Sequence, residues 1–256
     1  MQDRSPEQLP RLITTSISHY CEKVRWALER LNIRYIEERH APLFHRLATA
    51  RNGGRSVPML VTEAGTFSDS SDILQYIDGM SPVSAKLYPA DPKLRQEVEK
   101  LEDWFDRQLG PSTGVWFYFY LLDRDKLILR LFCEGVEAIE AELFPVVFPC
   151  IREAMEQAME ITPDSAAESL DRINSIFETV NELLADGRKY LVGDSFSACD
   201  LTWACLTGLV LMPAEYGTKL PQLSEIPGEM VQAIEHFRAT PAGVYALRLF
   251  REERHK

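Results

Sequence analysis

The stretch Ser18-His19-Tyr20-Cys21-Glu22-Lys23-Val24-Arg25-Trp26-Ala27-Leu28 is the part of this chain that most restricts its fold. It follows a short apolar segment, Leu12-Ile13. It then opens a run in which Val24, Ala27, Leu28 and Leu31 fall at i, i+3, i+4 and i+7, one face of a helix. Asn32 suits the left-handed conformation that stops a helix, and Ile33-Arg34-Tyr35-Ile36 then alternates as a strand. Ser18 therefore stands where a strand ends and a helix begins. A helix N-terminus presents free N–H groups and a partial positive charge, a place to hold an anion, a thiolate included.

The same alternation continues through residues 10–80. It predicts a strand at 11–14, a helix at 19–31, a strand at 33–37 and a weaker helical segment at 42–51. Strands at 58–61 and about 66–67 flank a hairpin turn at Glu63-Ala64-Gly65. A helix near 70–78, with Ile73, Leu74 and Ile77 on one face, ends at Gly79. The order βαβαββα is a small α/β unit over residues 1–80. Prolines 82, 89 and 92 mark residues 81–91 as a linker. Residues 92–256 read as helical throughout, with segments at 92–110, 126–144, 165–186, 198–212, 228–239 and 241–252. Pro145 and Pro149 are expected to break or kink the second of these. An α/β domain followed by an all-α domain is the predicted architecture.

Composition narrows the function. With 45% hydrophobic and 26% charged residues, the chain buries a core. No run of 18 apolar residues occurs, so no membrane span is expected. The start, Met1-Gln2-Asp3-Arg4-Ser5-Pro6-Glu7, lacks the apolar core of a signal peptide. Cys21, Cys133, Cys150, Cys199 and Cys205 are odd in number and scattered, which argues against a zinc site or a disulfide framework. Reduced thiols in a cytoplasmic protein are the expectation, with no metal. The first 85 residues are neutral, so the whole net charge of −11 lies beyond them. That surface repels nucleic acid and anionic membranes, and the neutral first part is the better host for a small anionic ligand.

Three motifs sharpen the expectation. The first is the Ser18–Arg25 turn. The second, Ser56-Val57-Pro58-Met59-Leu60, puts a proline, which donates no ladder hydrogen bond, at the edge of a strand. The third, Phe67-Ser68-Asp69-Ser70-Ser71-Asp72-Ile73-Leu74, opens a helix. Each has a plain structural alternative, as an N-cap at Ser18, an edge-strand proline or an N-cap at Asp69. Together, about 40 and 12 residues apart, they resemble the cytosolic glutathione transferases of the serine type, a likeness that extends over nearly the whole chain.

That resemblance implies a thioredoxin-like domain, then an all-helical one, in a homodimer. It implies that Ser18 hydrogen-bonds the glutathione sulfur, that Pro58 is cis and that the Val57 main chain pairs with the cysteinyl amide. Asp69 and Ser70 would meet the γ-glutamyl end, Ser70 holding its carboxylate. Many relatives keep Lys or Arg immediately before the Val-Pro pair to meet the glycyl carboxylate. Here that place is Ser56, which leaves Arg55 as the candidate, with His40 and Lys23 behind it. Holding a thiol of reference pKa about 8.5 two units lower needs about 2.7 kcal/mol. A hydrogen bond to a charged acceptor supplies roughly 1.5–3 kcal/mol and a helix terminus about 0.3–1.

Cys21, one turn on, reads as a buried small hydrophobe. In the aromatic run Trp116-Phe117-Tyr118-Phe119-Tyr120, Trp116 and Tyr120 are the candidates for a pocket taking a small apolar or electrophilic second substrate. Arg124 and Arg130 read as a solvated face. Ser197 and Asp200 stand in a capping-box relation and are assigned to folding. The resemblance leaves open an isomerase or dehalogenase using glutathione as cofactor, and a non-catalytic scaffold. Disulfide reduction is disfavoured because Ser18 takes the place of the cysteine that would form the mixed disulfide.

Overall fold

The computed structural model describes residues 9–82 and 85–255. The Met1–Glu7 start and part of the 81–91 linker lie outside the described residues.

The first unit runs β1 (Arg11–Thr14), α1 (His19–Arg30), β2 (Ile36–Arg39), α2 (Phe44–Arg51), β3 (Met59–Thr62), β4 (Gly65–Phe67) and α3 (Ser70–Gly79). The sheet order is β2-β1-β3-β4, with β1 parallel to β2 and antiparallel to β3, and β3 antiparallel to β4. Leu12, Ile13 and Thr14 are all fully buried, as expected of a central strand covered on both faces. Strand β2 begins at Ile36, three residues later than the alternation predicts. Asn32 is left-handed (φ 53°) and the Ile33 N–H turns back to the Leu28 carbonyl, closing the helix before the ladder begins at Arg11 and Ile36.

The second unit is helical: α4 (Pro92–Trp104), a π-helical turn (Phe105–Leu109), α5 (Gly110–Leu121), α6 (Asp125–Phe132), α7 (Ala138–Ala158), α8 (Pro163–Leu184), α9 (Ala198–Leu211), α10 (Gly228–Ala239) and α11 (Pro241–Glu253). The fold is thus a thioredoxin-like α/β domain followed by an all-helical one. The helix expected at 126–144 is divided, with Gly135 (φ 71°) in the break, while α7 runs unbroken through Pro145 and Pro149. Both prolines are exposed and lie four residues apart on one face. Water can satisfy the carbonyls that lose their donors there.

Every residue of α9 is buried, and its mostly apolar sequence fits a central helix. The capping box expected at its start is present. Asp200, fully buried, accepts from the Leu191 N–H (2.8 Å), the Ser197 N–H (2.8 Å) and the Ser197 and Tyr245 hydroxyls. Asp200→Ala removes the acceptor of all four and strands the two N–H groups and the Tyr245 hydroxyl in the core, the Ser197 hydroxyl keeping Cys199 Sγ at 3.2 Å. The substitution is expected to lower stability by about 3 kcal/mol and to move the thermal midpoint down by several degrees. An unchanged melt would assign these bonds no weight.

Charge joins the two units. Helix α1 packs against both α3 and α9, yet its Glu22, Lys23 and Arg25 are buried. Buried charges persist only when paired. Arg254 Nε donates to Glu22 Oε1 (2.8 Å), as does the Gly217 N–H (3.2 Å), and Arg25 Nε donates to Glu37 Oε1 (2.6 Å).

Candidate functional site

The Val57-Pro58 peptide bond is cis. Pairing of β1 with β3 ends at Ile13 and Met59, so the Val57 main chain stands beyond the last rung. Ser56, Val57 and Pro58 face the start of α3 across a polar pocket of about 670 Å³. There Asp69 caps α3, accepting the Ser71 N–H (2.8 Å) and the Asp72 N–H (3.2 Å). Ser70, the first residue of the helix, is buried and lines the pocket.

The helical domain closes the opposite wall with Glu102 and Asp106. Lys23 Nζ, fully buried, lies 2.9 Å from Glu102, 2.7 Å from Asp106 and 2.9 Å from the Ser71 hydroxyl. Ser71 Oγ is in turn 2.8 Å from Glu102 Oε1 and 2.9 Å from Asp106 Oδ2, so its single proton serves one of them. Burial works against the lysine's charge, but the two carboxylates outweigh it and hold its pKa above the usual value. Burial raises the Asp106 carboxyl, with Lys23 opposing. Asp106 Oδ1 is buried with no protein partner.

The π-helical turn has a local consequence. The Gly110 N–H reaches back five residues to the Phe105 carbonyl. The next residue, Pro111, has no N–H, so the Asp106 carbonyl lacks a helical donor. The Tyr20 hydroxyl fills that vacancy at 2.7 Å. A Cβ at Gly110 would lie 2.0 Å from the Tyr20 hydroxyl oxygen, so only glycine admits the contact. Burial pushes the Tyr20 pKa up, and the side chain stays a neutral donor.

On the other side of Tyr20 lies an apolar cavity of about 740 Å³, walled chiefly by α7 through Val147, Ile151 and Met155, with Ser18, His19 and Tyr118 among its polar members. Val57 and Tyr20 line both spaces, so the two adjoin there. Ser18 is the N-cap of α1, and its oxygen accepts the Cys21 N–H at 3.3 Å. Capping uses a lone pair and leaves the hydroxyl proton free, so the cap and a contact to an anion are compatible.

His19 follows directly. It is 7% exposed, and neither ring nitrogen has a partner. Burial pushes its pKa down to about 3. The unfolded chain, with a histidine near 6.5, binds more protons than the fold, so stability falls as pH drops below about 6.5. By pH 5 the deficit from this group is about 2 kcal/mol. Chemical denaturation at pH 7.5 and pH 5 should show a smaller acid loss in His19→Leu than in wild type. Equal losses would mean that His19 is already solvated.

The other expected residues are more dispersed. Arg55 is exposed, lines neither space and forms no ion pair among the described residues. Lys23 is taken up by the carboxylates, and His40 Nδ1 lies 2.7 Å from Glu140 Oε1. Cys21 is fully buried, and burial pushes its thiol pKa up, as suits a core residue. Trp116 is in the core and Tyr120 is half-buried against it, rings 5.5 Å apart; neither lines the cavity. Gly110, Gly114 and Tyr118, spaced by four, present the cavity face of α5, while Trp116 and Tyr120 share another face. Tyr20, Asp106, His19 and Tyr118 are site residues the motifs did not flag. His19 and Tyr20 carry a local signal by adjacency to Ser18, and Tyr118 through the aromatic run that contains it, whereas Asp106 carries none.

The glutathione S-transferase N-terminal domain model matches residues 12–84, and the glutathione S-transferase C-terminal domain model matches residues 140–227. Together they span well over half of the chain, which belongs to the glutathione S-transferase family. Among solved structures, the fold is similar to that of a possible glutathione S-transferase from Rhodopseudomonas palustris. The identity is 17%, with 96% of this chain and 94% of that one covered, at a TM-score of 0.61. It is similar to a glutathione S-transferase from Rhodospirillum rubrum F11, at 20% identity, 96% and 93% coverage and a TM-score of 0.59. A third similar structure, a glutathione S-transferase from Methylobacterium radiotolerans, is a complex with glutathione sulfonate (20% identity, 93% and 94% coverage, TM-score 0.55). No curated protein matches the chain. No helix among the described residues is long and apolar enough to cross a membrane.

Proposed function

We propose that the chain is a transferase that binds glutathione in the polar pocket and delivers its thiolate to an electrophile in the apolar cavity. The observation that carries this is the meeting of the two spaces at Val57 and Tyr20, with the Ser18 hydroxyl on the adjoining wall. In this reading Val57 pairs its main chain with the cysteinyl residue, as an added strand would. Ser70 and the N-terminus of α3 take the γ-glutamyl carboxylate. The unpartnered Asp106 Oδ1 and Asp69 face its ammonium. Arg55, free of other partners, swings to the glycyl carboxylate. Ser18 donates its hydroxyl proton to the sulfur and favours the thiolate. Rate enhancement then comes from proximity and thiolate stabilisation, with no general base required.

Titration calorimetry with glutathione, followed by turnover of chlorodinitrobenzene, tests the proposal. Binding in the micromolar to millimolar range with turnover is expected. No binding up to about 10 mM would overturn it. Binding without turnover of aryl halides or enones would point to the scaffold.

A further inference from the structure

We propose that α2 and α7 form a self-complementary docking face for a second copy of this chain, α7 of each copy lying on α2 of the other. This goes beyond the transferase reading and needs no glutathione chemistry.

Helix α7 carries two apolar stripes, where a surface helix needs one. Phe144, Phe148 and Ile151, spaced by four and three, form the inner stripe and are buried. The Phe144 ring centroid lies 5.9 Å from that of Phe132 and 6.4 Å from that of Phe44 on α2. Ile139, Leu143, Val146 and Cys150, spaced by four, three and four, form the outer stripe and are all exposed, Val146 at 78%. The two stripes stand about 140° apart around the helix. Apolar residues at alternating spacings of four and three are the seam by which one helix packs on another.

Helix α2 extends the face. Leu43 and Leu47, one turn apart, are exposed, and Leu43 lines the same cavity as Val146, Val147 and Cys150, so the two apolar rims are continuous. Among the described residues ten large hydrophobic side chains are exposed, and six of them, Leu43, Leu47, Ile139, Leu143, Val146 and Val147, fall here. Single exposed apolar residues are ordinary, but a contiguous group marks an interaction surface.

Charge decides what covers it. The exposed charges of α2 are Arg46 and Arg51, and those flanking the outer stripe of α7 are Glu142 and Glu153. None of the four enters an ion pair among the described residues. The face is thus basic along one side and acidic along the other, with an apolar centre, as protein interfaces are built. A second copy can be turned onto it in two ways. One lays α7 on α7 and sets Glu142 and Glu153 against their own kind. The other lays α7 on α2 of the second copy and sets glutamates against arginines twice over, because a two-fold contact uses the same patch on both copies. Juxtaposed like charges oppose association, which selects the second arrangement. Nucleic acid or an anionic membrane would meet the acidic side and a net charge of −11. Arg46, Val146, Val147 and Cys150 belong to the cavity lining as well as to the face, so the second copy closes the cavity mouth.

Sedimentation velocity of the full chain from about 1 to 100 μM tests the proposal, and a monomer–dimer equilibrium within that range is expected. Leu143→Glu with Val146→Glu, both at exposed positions, should weaken association about 100-fold. Glu142→Lys with Glu153→Lys should weaken it about tenfold, and adding Arg46→Glu and Arg51→Glu to that pair should restore it. Alkylation of Cys150 in the wild type, followed by mass spectrometry, should be several-fold slower at the concentrated end than at the dilute end. Circular dichroism of each variant checks its folding.

A wild-type chain that stays monomeric at about 100 μM would overturn the inference without any variant. Flotation of that monomer with phosphatidylcholine vesicles would assign the face to a lipid surface instead. A dimer that Leu143→Glu with Val146→Glu leaves intact, or one in which Cys150 reacts as fast as in the monomer, would place the contact elsewhere and overturn it too. Unchanged or stronger association in Glu142→Lys with Glu153→Lys would mean that α7 meets α7, and the proposed arrangement would fall.

Discussion

Ser18→Ala is expected to lower kcat/KM for glutathione transfer about 10- to 100-fold near pH 7 while glutathione still binds. The magnitude follows from one hydrogen bond to a charged sulfur, about 1.5–3 kcal/mol, which corresponds to about one to two units in the thiol pKa. The thiolate fraction then falls in proportion. Loss of the cap has a separate cost of about 1 kcal/mol in stability, because the Cys21 N–H loses its side-chain acceptor. The two effects are separable by pH. A raised thiol pKa moves the rising limb of the rate profile to higher pH, so the variant should recover activity at alkaline pH. Ser18→Thr should keep most of the activity. A variant profile of the same shape, only lower, would mean that Ser18 serves as a cap alone and that another group holds the sulfur.

Lys23→Met is the substitution expected to cost most in stability, about 3–5 kcal/mol. The lysine has no exposed side-chain surface, and it neutralises Glu102 and Asp106, which are themselves largely buried. Methionine fills much of the same volume, so cavity formation is minor and the penalty is the stranded negative charge. At 2–4 °C per kcal/mol for a chain of this size, the thermal midpoint should drop about 10 °C. The sign of the pH dependence is diagnostic. In the variant the Asp106 carboxyl, which burial already raises, loses the lysine that opposes that shift, so its folded pKa stands above the unfolded one. The stability it retains is present at low pH and is lost as pH rises through the folded value. The deficit relative to wild type should shrink between pH 7.5 and pH 5, and Asp106→Asn added to Lys23→Met should recover part of it. A deficit independent of pH would mean that packing, not charge, explains the lysine.

The sequence made the local parts of this site legible and left the distant ones hidden. The strand-to-helix turn at Ser18, the cap at Asp69 and the Ser197–Asp200 box are short-range patterns, each set by a handful of neighbouring residues, and all three are present. The role of Lys23 could not be read in the same way. Its partners are 79 and 83 residues away on a helix of the other domain, and no period links them. From the sequence alone Lys23 therefore stands only as a secondary candidate, behind Arg55, for the glycyl carboxylate. The aromatic run shows a second limit. Five consecutive rings on a helix point all round it, and only the packing of α5 decides that Tyr118 meets the cavity while Trp116 enters the core. Pro145 and Pro149 mark a third, since a proline's effect on a helix depends on whether the carbonyls it abandons are wet.

Under the proposed function, the contact between Tyr20, Gly110 and Pro111 has a consequence for how two reactants would be handled. Each of the three requires the other two: the proline frees a carbonyl, the tyrosine occupies it, and the glycine makes room. The aromatic post between the chambers is therefore fastened at its tip as well as its root. A nucleophile on one side and its target on the other would meet across a fixed partition, whose placement owes nothing to either guest.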